Sequence, residues 1–417
     1  MHHQRVCNKL LRHRSRGDNT RPKIFVLYLF SSPGYSPAMT SSGQNPRPKP
    51  NPLARSEATP GGFIDGDRRR GRGAQSNHTG RFESERRIAF DDGWESLGEL
   101  EALRTEIYEE PARSIITRNK SPDISFDQSI NPYRGCEHGC IYCYARPTHC
   151  YLGHSAGLDF ETKLYAKTNA AELLEQELAR KSYKPAVIAL GTNTDPYQPI
   201  ERERRITCSI LEVLERTGHP VGIVTKSALV VRDVDILSRM AARGLAKVAL
   251  SVTTLDRHIA RAMEPRATTP AKRLEAVHTL SEAGVPVSVM VAPIVPGLTD
   301  SEIERILEAA RKAGATEAGY VLLRLPLELK DVFREWLQEA FPDRANRVIN
   351  LLRSMHGGED YTPEFGRRQK GSGPYAEQIA LRFRLALKRL DMNTRRQSLR
   401  ADLFKPPVAK GGQMNLL

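Results

Sequence analysis

The sequence predicts an α/β fold in which helices cover a parallel sheet, and three observations support this. Six short β-rich runs alternate with amphipathic stretches of helical length between residues 127 and 340. Glycines at 218, 244, 284 and 314 follow four of these stretches, where helices commonly end. Within the runs, side-chain character alternates with a period of two, as in strands. Six strand–helix units of this kind are typical of a parallel sheet with helices outside it.

The elements follow one another in a regular order. We expect strands over 127–131, 186–191, 221–225, 247–253, 287–292 and 319–323, and helices over 169–181, 202–217, 233–243, 270–283, 300–313 and 328–340. Thr269 followed by Pro270 is a helix start, and Ser301 with Glu304 forms a capping box. Further helices over 344–354 and about 376–390 are predicted to cover the sheet.

The strands place small and polar residues on one face. In 247–253 the residues Ala249, Ser251 and Thr253 lie opposite a bulky face, and in 287–292 the residues Ser288 and Ala292 do so. A packed barrel interior normally holds bulky branched side chains. The bulky face is therefore expected to meet the helices, which leaves room inside for a ligand. The alternative is a twisted sheet packed against a second helix layer.

The positive charge is concentrated ahead of these units. The 417-residue chain has a formal net charge of +14. Residues 1–90 hold 17 Lys and Arg against 6 Asp and Glu, and the remaining residues hold 46 against 43. We expect 1–90 to be a disordered basic tail, because it lacks sustained periodicity. Such a tail is either a solvated arm or one that binds nucleic acid or another polyanion.

The remaining boundaries follow from composition. We expect a linker over 91–115, the strand–helix units over 116–340 and a C-terminal helical extension with a flexible end over 341–417. The apolar run 24–30 is too short to span a membrane and lacks a clear cleavage site, so no membrane association or export is expected, and the cytoplasm is favoured. Translation can begin at Met1 or Met39.

Three cysteines follow the first expected strand. Cys136, Cys140 and Cys143 have the spacing C-x3-C-x2-C, and three thiolates on one tight loop can hold three irons of a 4Fe–4S cluster. Zinc is the alternative, with His138, His149 or Cys150 as a fourth ligand. A disulfide framework is excluded by the length of the chain and its low cysteine density.

These residues resemble a known family. CEHGCIYCY (136–144) is similar to the radical S-adenosylmethionine (radical SAM) signature, and 129–149 more narrowly resembles the branch related to spore photoproduct lyase. Further similar segments are ALGTNTDPYQPIE (189–201), VTKSALVVRDVDIL (224–237), SVTTLD (251–256), MEPRATTPAKRLEAV (263–277) and VMVAPIVPGLTDSE (289–302). GRGAQSNHTGRFE (71–83) with DDGW (91–94) resembles the start of an uncharacterised subgroup.

The resemblance implies a partial (β/α)6 barrel. It implies a 4Fe–4S cluster on Cys136, Cys140 and Cys143, with S-adenosylmethionine bound at the open iron. Reductive cleavage would give methionine and a 5′-deoxyadenosyl radical that abstracts a substrate hydrogen. An external electron donor such as flavodoxin or ferredoxin is also implied, and we expect a monomer.

The resemblance also suggests residues that contact S-adenosylmethionine. Tyr142 matches a position near the adenine; the segment from Gly191 to Asp195, with Thr192, matches the site of the methionyl amino group. Asp195 is equally a turn or N-cap residue before Pro196. The remaining matches are Ser251 and Thr253 toward the ribose and carboxylate, and Ile294, Gly297, Tyr320 and Leu322 beside the adenine.

Several charged and thiol side chains have two interpretations. Arg324 can contact an anionic group or form a salt bridge. Lys226 and Arg232 are either anion contacts or solvated loop charges, and the second interpretation is favoured. Spore photoproduct lyase uses a further cysteine to return hydrogen to its product. Cys150 and Cys208 do not match that position, so thymine-dimer reversal is not expected to transfer.

Three functions remain open on the sequence. The first is a radical SAM enzyme of unassigned substrate, and the second narrows its substrate to nucleic acid, as in DNA repair or RNA modification. The third is a structural zinc protein or an Fe–S electron carrier.

Overall fold

The computed structural model describes residues 64, 66–67, 69–83, 103–395 and 397–408. The predictions for 1–63, including the choice between Met1 and Met39, fall outside these residues, as do those for 84–102 and 409–417. Within the described ranges, no helix is both long and apolar enough to cross a membrane.

The described strands form two sheets. They are β1 (Glu106–Glu109), β2 (Thr117–Arg118), β3 (Gln128–Ile130), β4 (Tyr133–Arg134), β5 (Lys163–Ala166), β6 (Ile188–Leu190), β7 (Val221–Thr225), β8 (Ala246–Ser251), β9 (Val287–Ile294) and β10 (Glu317–Leu322). The main sheet has the order β10-β9-β8-β7-β6-β3-β2, in which only β2 is antiparallel to its neighbour. The six predicted strands are therefore confirmed as one parallel array.

The helices alternate with these strands as predicted. They are α1 (Asp159–Thr162), α2 (Ala170–Leu178), α3 (Glu201–Arg204), α4 (Ile206–Arg216), α5 (Val234–Ala242), α6 (Arg257–Met263), α7 (Pro270–Glu282), α8 (Ile303–Lys312), α9 (Leu329–Ala340), α10 (Pro342–Met355) and α11 (Pro374–Arg389). The helix expected over 202–217 is divided, because Arg205 has a left-handed φ of 49°. The carboxylate of Glu201 then accepts the N–H of Thr207, which satisfies a donor at the start of α4.

The two faces of the sheet differ as the alternation predicted. Val248 and Leu250 of β8 are fully buried in the main hydrophobic core. Ala249, on the opposite face, lines a small interior cavity together with Ala189, Gly222 and Ser288 of the neighbouring strands. Short side chains therefore leave space inside the curved sheet, and the bulky face supplies the helix contacts.

Helices near the C-terminus pack on the β10 edge of the sheet and on α8. The Phe383 ring on α11 lies 4.7 Å from that of Tyr320 on β10, and the Arg382 guanidinium binds Glu304 of α8 at 2.6 Å. The side chain of Trp336 on α9 donates to the carbonyl of Ala262 at 3.0 Å.

Part of the expected disordered tail is an ordered segment. Residues 69–83, which we call the N-terminal strap, pack on the barrel with Ala74 and Ser76 fully buried. Their ordering was missed because it comes from contacts with residues far along the chain, such as Leu158, whose N–H donates to the Ser76 carbonyl at 3.2 Å. A local pattern of Gly, Arg and Ser carries no sign of such contacts.

The expected linker over 91–115 also contains regular structure. β1 pairs in parallel with β5, and β5 pairs antiparallel with β4, in a small second sheet beside the cysteine loop. β1 is exposed along its length, so it lacks the alternating pattern from which strands are predicted.

Candidate functional site

A cavity of about 930 Å³ lies at the carboxyl ends of the parallel strands. Its wall combines the cysteine loop after β3 with the ends of β6, β7, β8, β9 and β10, so the sheet curves around it. Eight of the predicted site residues line it: Cys136, Cys140, Cys143, Tyr142, Gly191, Asp195, Ser251 and Leu322. This is the edge at which α/β barrels carry their active sites.

The backbone of the cysteine loop is fixed by neighbours from several elements. The Cys136 N–H donates to the carbonyl of Phe160 at 2.9 Å, and the Ile141 N–H donates to that of Met263 at 3.0 Å. Glu137 donates its N–H to the side-chain oxygen of Gln198 at 2.9 Å. The turn itself requires Gly139, whose φ of 66° is left-handed. The loop is therefore held by residues of α1, α6 and the segment that follows β6.

The three thiols lie in a poorly hydrated environment. Cys136 and Cys140 are buried and Cys143 is half-buried. Burial raises the pKa of the Cys140 thiol to about 12, although the nearby Lys226 opposes the shift. Burial likewise raises the pKa of Cys136 and Cys143. Thiolates at this site need positive charge beside them, which an iron cluster supplies.

The thiols fit a cluster as a donor set. All three face one cavity from a single turn, and thiolates are the ligands that iron–sulfur clusters use. In the described ranges, no three His, Cys, Asp or Glu side chains are grouped to hold a single metal ion.

Asp195 joins the ends of two strands. Its carboxylate accepts hydrogen bonds from Thr225 Oγ1 at 2.6 Å, from the N–H of Lys226 at 2.8 Å and from that of Tyr197 at 2.9 Å. His138 Nδ1 lies 3.4 Å away. Burial alone would raise the pKa of Asp195, but His138 and these donors lower it to about 2. The carboxylate of Asp195 therefore accepts hydrogen bonds from the protein itself, as is typical of a turn residue.

Gly191 allows a close approach between two strands. Its φ is 82°, and a Cβ there would lie 1.9 Å from the carbonyl oxygen of Val224. Only glycine therefore lets the chain leave β6 beside β7 and expose Asn193 and Asp195 to the cavity.

Tyr142 belongs to a buried polar cluster in the cavity wall. Its hydroxyl donates to Glu264, which also accepts from Thr253 Oγ1 at 2.7 Å and forms a buried ion pair with Arg273. Burial raises the pKa of Tyr142, so the phenol is neutral. Thr253 thus supports Tyr142 and does not line the cavity. Ser251 does line it, and its hydroxyl donates to the Ala292 carbonyl at 2.8 Å.

Four other predicted residues lie away from the cavity. Thr192 donates its hydroxyl toward Asn131 at 3.5 Å and is buried. Ile294 is fully buried in the core, and Gly297 packs against Leu351 with its N–H bonded to Asp300 at 2.8 Å.

Tyr320 is the fourth, and a bulge explains its position. The pairing of β10 with β9 shifts register between Tyr320 and Leu322. The two side chains therefore do not share a face, although strict alternation predicts that they do. Tyr320 packs on Phe383 of α11, whereas Leu322 and its neighbour Val321 line the cavity.

Sequence reasoning underrated several cavity residues. Lys226 lines the cavity with its ammonium 5.6 Å from the centre of the Tyr142 ring, so the solvated-loop interpretation was wrong. Arg324 lies 4.4 Å from the centre of the Tyr144 ring and is buried. Arg232 binds Glu201 and Asp233 outside the cavity. Tyr144 and Asn193 were not selected, and His138 was considered only as a zinc ligand, although His138 and Tyr144 stand inside the cysteine motif.

Comparisons with known proteins agree with this site. Residues 130–310 match the model of the radical SAM superfamily. An uncharacterised protein of Mycobacterium tuberculosis is 38% identical over 240 residues, which cover 56% of this chain and 71% of that protein. An uncharacterised protein of Methanocaldococcus jannaschii is 26% identical, covering 59% and 88%. A radical SAM Nalpha-GlyT isomerase of Pseudomonas phage M6 is 26% identical, covering 57% and 48%.

Solved structures give a distant likeness. A spore photoproduct lyase mutant with bound AdoMet and dinucleoside spore photoproduct has a TM-score of 0.49 and 16% identity, with 68% of this chain and 79% of that one covered.

The parallel array and the three-thiol loop at its carboxyl edge agree with the family match, which indicates an enzyme of the radical SAM class. The chain belongs to the radical SAM superfamily. Membership implies a 4Fe–4S cluster and S-adenosylmethionine.

Proposed function

We propose that Cys136, Cys140 and Cys143 hold three irons of a 4Fe–4S cluster in a radical SAM enzyme. The observation that carries the proposal is the convergence of the three thiols on one cavity at the carboxyl edge of the sheet. Its lining combines apolar side chains such as Met290 and Leu322 with a few polar groups, as small-molecule sites do. When bound, the cluster would supply the electron that cleaves S-adenosylmethionine to a 5′-deoxyadenosyl radical.

The residues of the chain have distinct roles in this proposal. Lys226 offers an ammonium to the carboxylate of S-adenosylmethionine, since it lines the cavity beside the Tyr142 ring. Tyr142, Ser251 and Leu322 form the wall beside the cofactor. Gly191 and Asp195 keep the ends of β6 and β7 in place, so that backbone groups remain available to the methionyl amino group.

Anaerobic reconstitution tests the cluster. We expect about four irons per chain and release of methionine and 5′-deoxyadenosine on reduction. Cys143→Ala should abolish both, whereas Cys208→Ala, a buried cysteine on α4 outside the loop, should keep them. Stoichiometric zinc without cleavage would instead support the structural alternative.

Binding of S-adenosylmethionine tests Lys226. Loss of one charge-assisted contact costs about 1.5–3 kcal/mol, so Lys226→Met should weaken binding about tenfold or more. Lys272→Met is the matched control, because Lys272 is exposed and pairs with Glu275. Equal affinities in the two variants would remove Lys226 from the site.

Nucleic acid is the second candidate, as a substrate for DNA repair or RNA modification. A groove of about 1390 Å³ adjoins the cavity through Tyr144, Asn193 and Arg324. Its lining contains no carboxylate and includes Lys167, Arg324 and the rings of Tyr144, Tyr151 and Tyr361. Arg81, Arg134 and Arg368 also line it, and they pair with Glu328, Glu110 and Asp123. Cationic grooves with stacking rings suit single strands.

Oligonucleotide binding tests this candidate. A chain lacking 1–63 should keep single-stranded DNA or RNA binding, because the groove lies in the described part, and Tyr151→Ala should weaken it. Tyr151 is 59% exposed and stacks on Phe82 at 5.1 Å. Tyr108→Ala, an exposed tyrosine outside the groove, is the control. Binding that disappears with 1–63 would assign it to the tail.

The remaining partners follow from the same chemistry. We propose a flavodoxin or ferredoxin as the electron donor and a monomeric enzyme. A reducing compartment such as the cytoplasm suits an oxygen-sensitive cluster.

A further inference from the structure

The N-terminal strap packs against the cysteine loop at one close contact. A Cβ on Gly73 would lie 1.8 Å from the carbonyl oxygen of Gly139, the residue before Cys140. Any side chain at position 73 therefore displaces either the strap or the loop. Gly139 is confined on a second side, since a Cβ there would lie 2.8 Å from a carboxylate oxygen of Glu161.

Glu161 of α1 connects the strap to the interior. Its two carboxylate oxygens accept the N–H groups of Gly73 and Ala74, each at 2.8 Å. The oxygen that binds Ala74 also binds Arg146 Nη2 at 2.5 Å. The side chains of Arg146 and Glu161 are both fully buried, so each neutralises the other's charge out of contact with water.

Arg146 carries this link onto the backbone of the cysteine loop. Its Nε donates to the Cys140 carbonyl at 3.0 Å, and its Nη2 donates to that of Gly139 at 3.2 Å. The remaining nitrogen, Nη1, donates to the carbonyls of Ala156 and Gly157 at 3.2 and 2.9 Å. One guanidinium therefore orients the two peptide groups that flank the Cys140 position.

We propose that the strap positions the cysteine loop through Gly73, Glu161 and Arg146, so that tight holding of the cluster depends on a segment ahead of the barrel. The inference rests on the proposed cluster at Cys136, Cys140 and Cys143. Gly73, Glu161 and Arg146 are positioning residues, since none of them lines the cavity. Residues that orient metal ligands typically alter metal affinity by about 10–100-fold when they are changed.

The test compares two glycine substitutions in the same part of the chain. Gly73→Ala adds the Cβ that collides with the loop, whereas Gly66→Ala adds one that meets nothing within 4 Å. After anaerobic reconstitution, we expect Gly73→Ala to lose iron to a chelator about tenfold faster and to broaden the electron paramagnetic resonance spectrum of the reduced cluster. Gly66→Ala should match the parent chain in both. Identical chelation and spectra in all three proteins would overturn the proposal.

Hydrogen exchange of the full-length chain without the cluster provides a second measurement. We expect the protected N–H groups of Cys136 and Ile141 to exchange faster in Gly73→Ala, while β8 stays as protected as in the parent. A loss of protection throughout β8 would show general unfolding, and unchanged exchange at Cys136 and Ile141 would show no link. Either result contradicts the positioning role.

The two measurements separate this inference from the proposed function. If the parent chain takes up no cluster, the proposed function fails, but the exchange comparison still decides whether the strap holds the loop. If the parent takes up the cluster and Gly73→Ala retains it equally well, only the positioning role fails.

Discussion

Two buried arginine–glutamate pairs hold different parts of the cysteine loop: an outer pair, Arg146 with Glu161, beside the strap, and an inner pair, Arg273 with Glu264, beside the barrel. Arg146 and Glu161, on the side of the strap, bind main-chain groups, among them the carbonyls of Gly139 and Cys140. Arg273 and Glu264, on the side of the barrel, reach the loop through a side chain, the hydroxyl of Tyr142.

The difference shows that one ion pair can fix the backbone of a loop while another fixes one of its side chains. A guanidinium that binds four carbonyls determines where the backbone runs. A carboxylate that binds Tyr142 and Thr253 determines where one ring stands beside the cavity. Loss of the first should disturb the thiols, whereas loss of the second should mainly disturb the cavity wall.

The largest effect is expected from Arg146→Met. This variant leaves Glu161 as an uncompensated buried charge, and breaking such a pair costs about 3–5 kcal/mol. Urea unfolding of the full chain measures it. Arg239→Met, which removes an exposed arginine paired with Glu215, should leave the free energy of unfolding unchanged. Equal urea midpoints for Arg146→Met and Arg239→Met would contradict the expected difference between a buried and an exposed ion pair.

The inner pair should be easier to replace than the outer one. Glu264→Leu alone should cost about 3–5 kcal/mol, and adding Arg273→Met should recover at least about 1 kcal/mol of that loss, since an apolar pair no longer buries a lone charge. Glu161→Leu with Arg146→Met should recover less, because four carbonyls lose their donor. A double-mutant cycle in urea measures both. Equal recovery would mean that the two pairs are equivalent.

The pH dependence of the free energy of unfolding tests the role of Asp195, whose carboxylate joins the ends of β6 and β7. Its pKa is lowered from 3.8 to about 2 in the folded chain, so the carboxylate stabilises the protein above about pH 4 and stops doing so as the pH falls toward about 2. The shift corresponds to about 2 kcal/mol at neutral pH. The stability gap between the parent and Asp195→Asn should therefore narrow over that window, and a gap independent of pH would exclude the ionised form as its source.

The smallest effect is expected from Tyr142→Phe. The variant removes one hydroxyl that donates to Glu264, a loss of about 1–2 kcal/mol. Tyr151→Phe, an exposed tyrosine, is the control and should unfold with the parent. Iron retention should be unchanged in Tyr142→Phe, because the backbone of the loop is held by Arg146. Loss of iron from Tyr142→Phe would show that the two ion pairs do not act separately on the loop.

The barrel itself could be predicted because its signals are local. Helix ends such as Pro270 and Gly284, and the alternation in β8, place the units within a few residues of their observed bounds. The second sheet could not be predicted in this way. β1 and β5 are four residues each, and β1 pairs with a strand more than fifty residues later, so neither carries a periodic pattern of its own.

The candidate site was predicted best where the chain itself brings residues together. The three cysteines share one turn, and Ser251 ends a strand, so both reach the cavity as expected. Tyr320 lies outside the cavity because a β-bulge reverses the alternation of side chains in β10. Thr253 lies outside it because its hydroxyl binds a buried carboxylate, Glu264. Lys226 was underrated since nothing local shows that its loop turns over the cavity.

The contacts of the strap also constrain the order in which the chain can acquire its final structure. Ser76 binds Glu335 on α9 at 2.6 Å, and His78 binds the same carboxylate at 2.6 Å. On the ribosome the strap emerges before every strand of the main sheet, yet this anchor is made only after the sixth strand–helix unit. The contacts of the strap with α9 can therefore form only after every strand of the main sheet has been synthesised, whereas those with Glu161 need only the first part of the barrel.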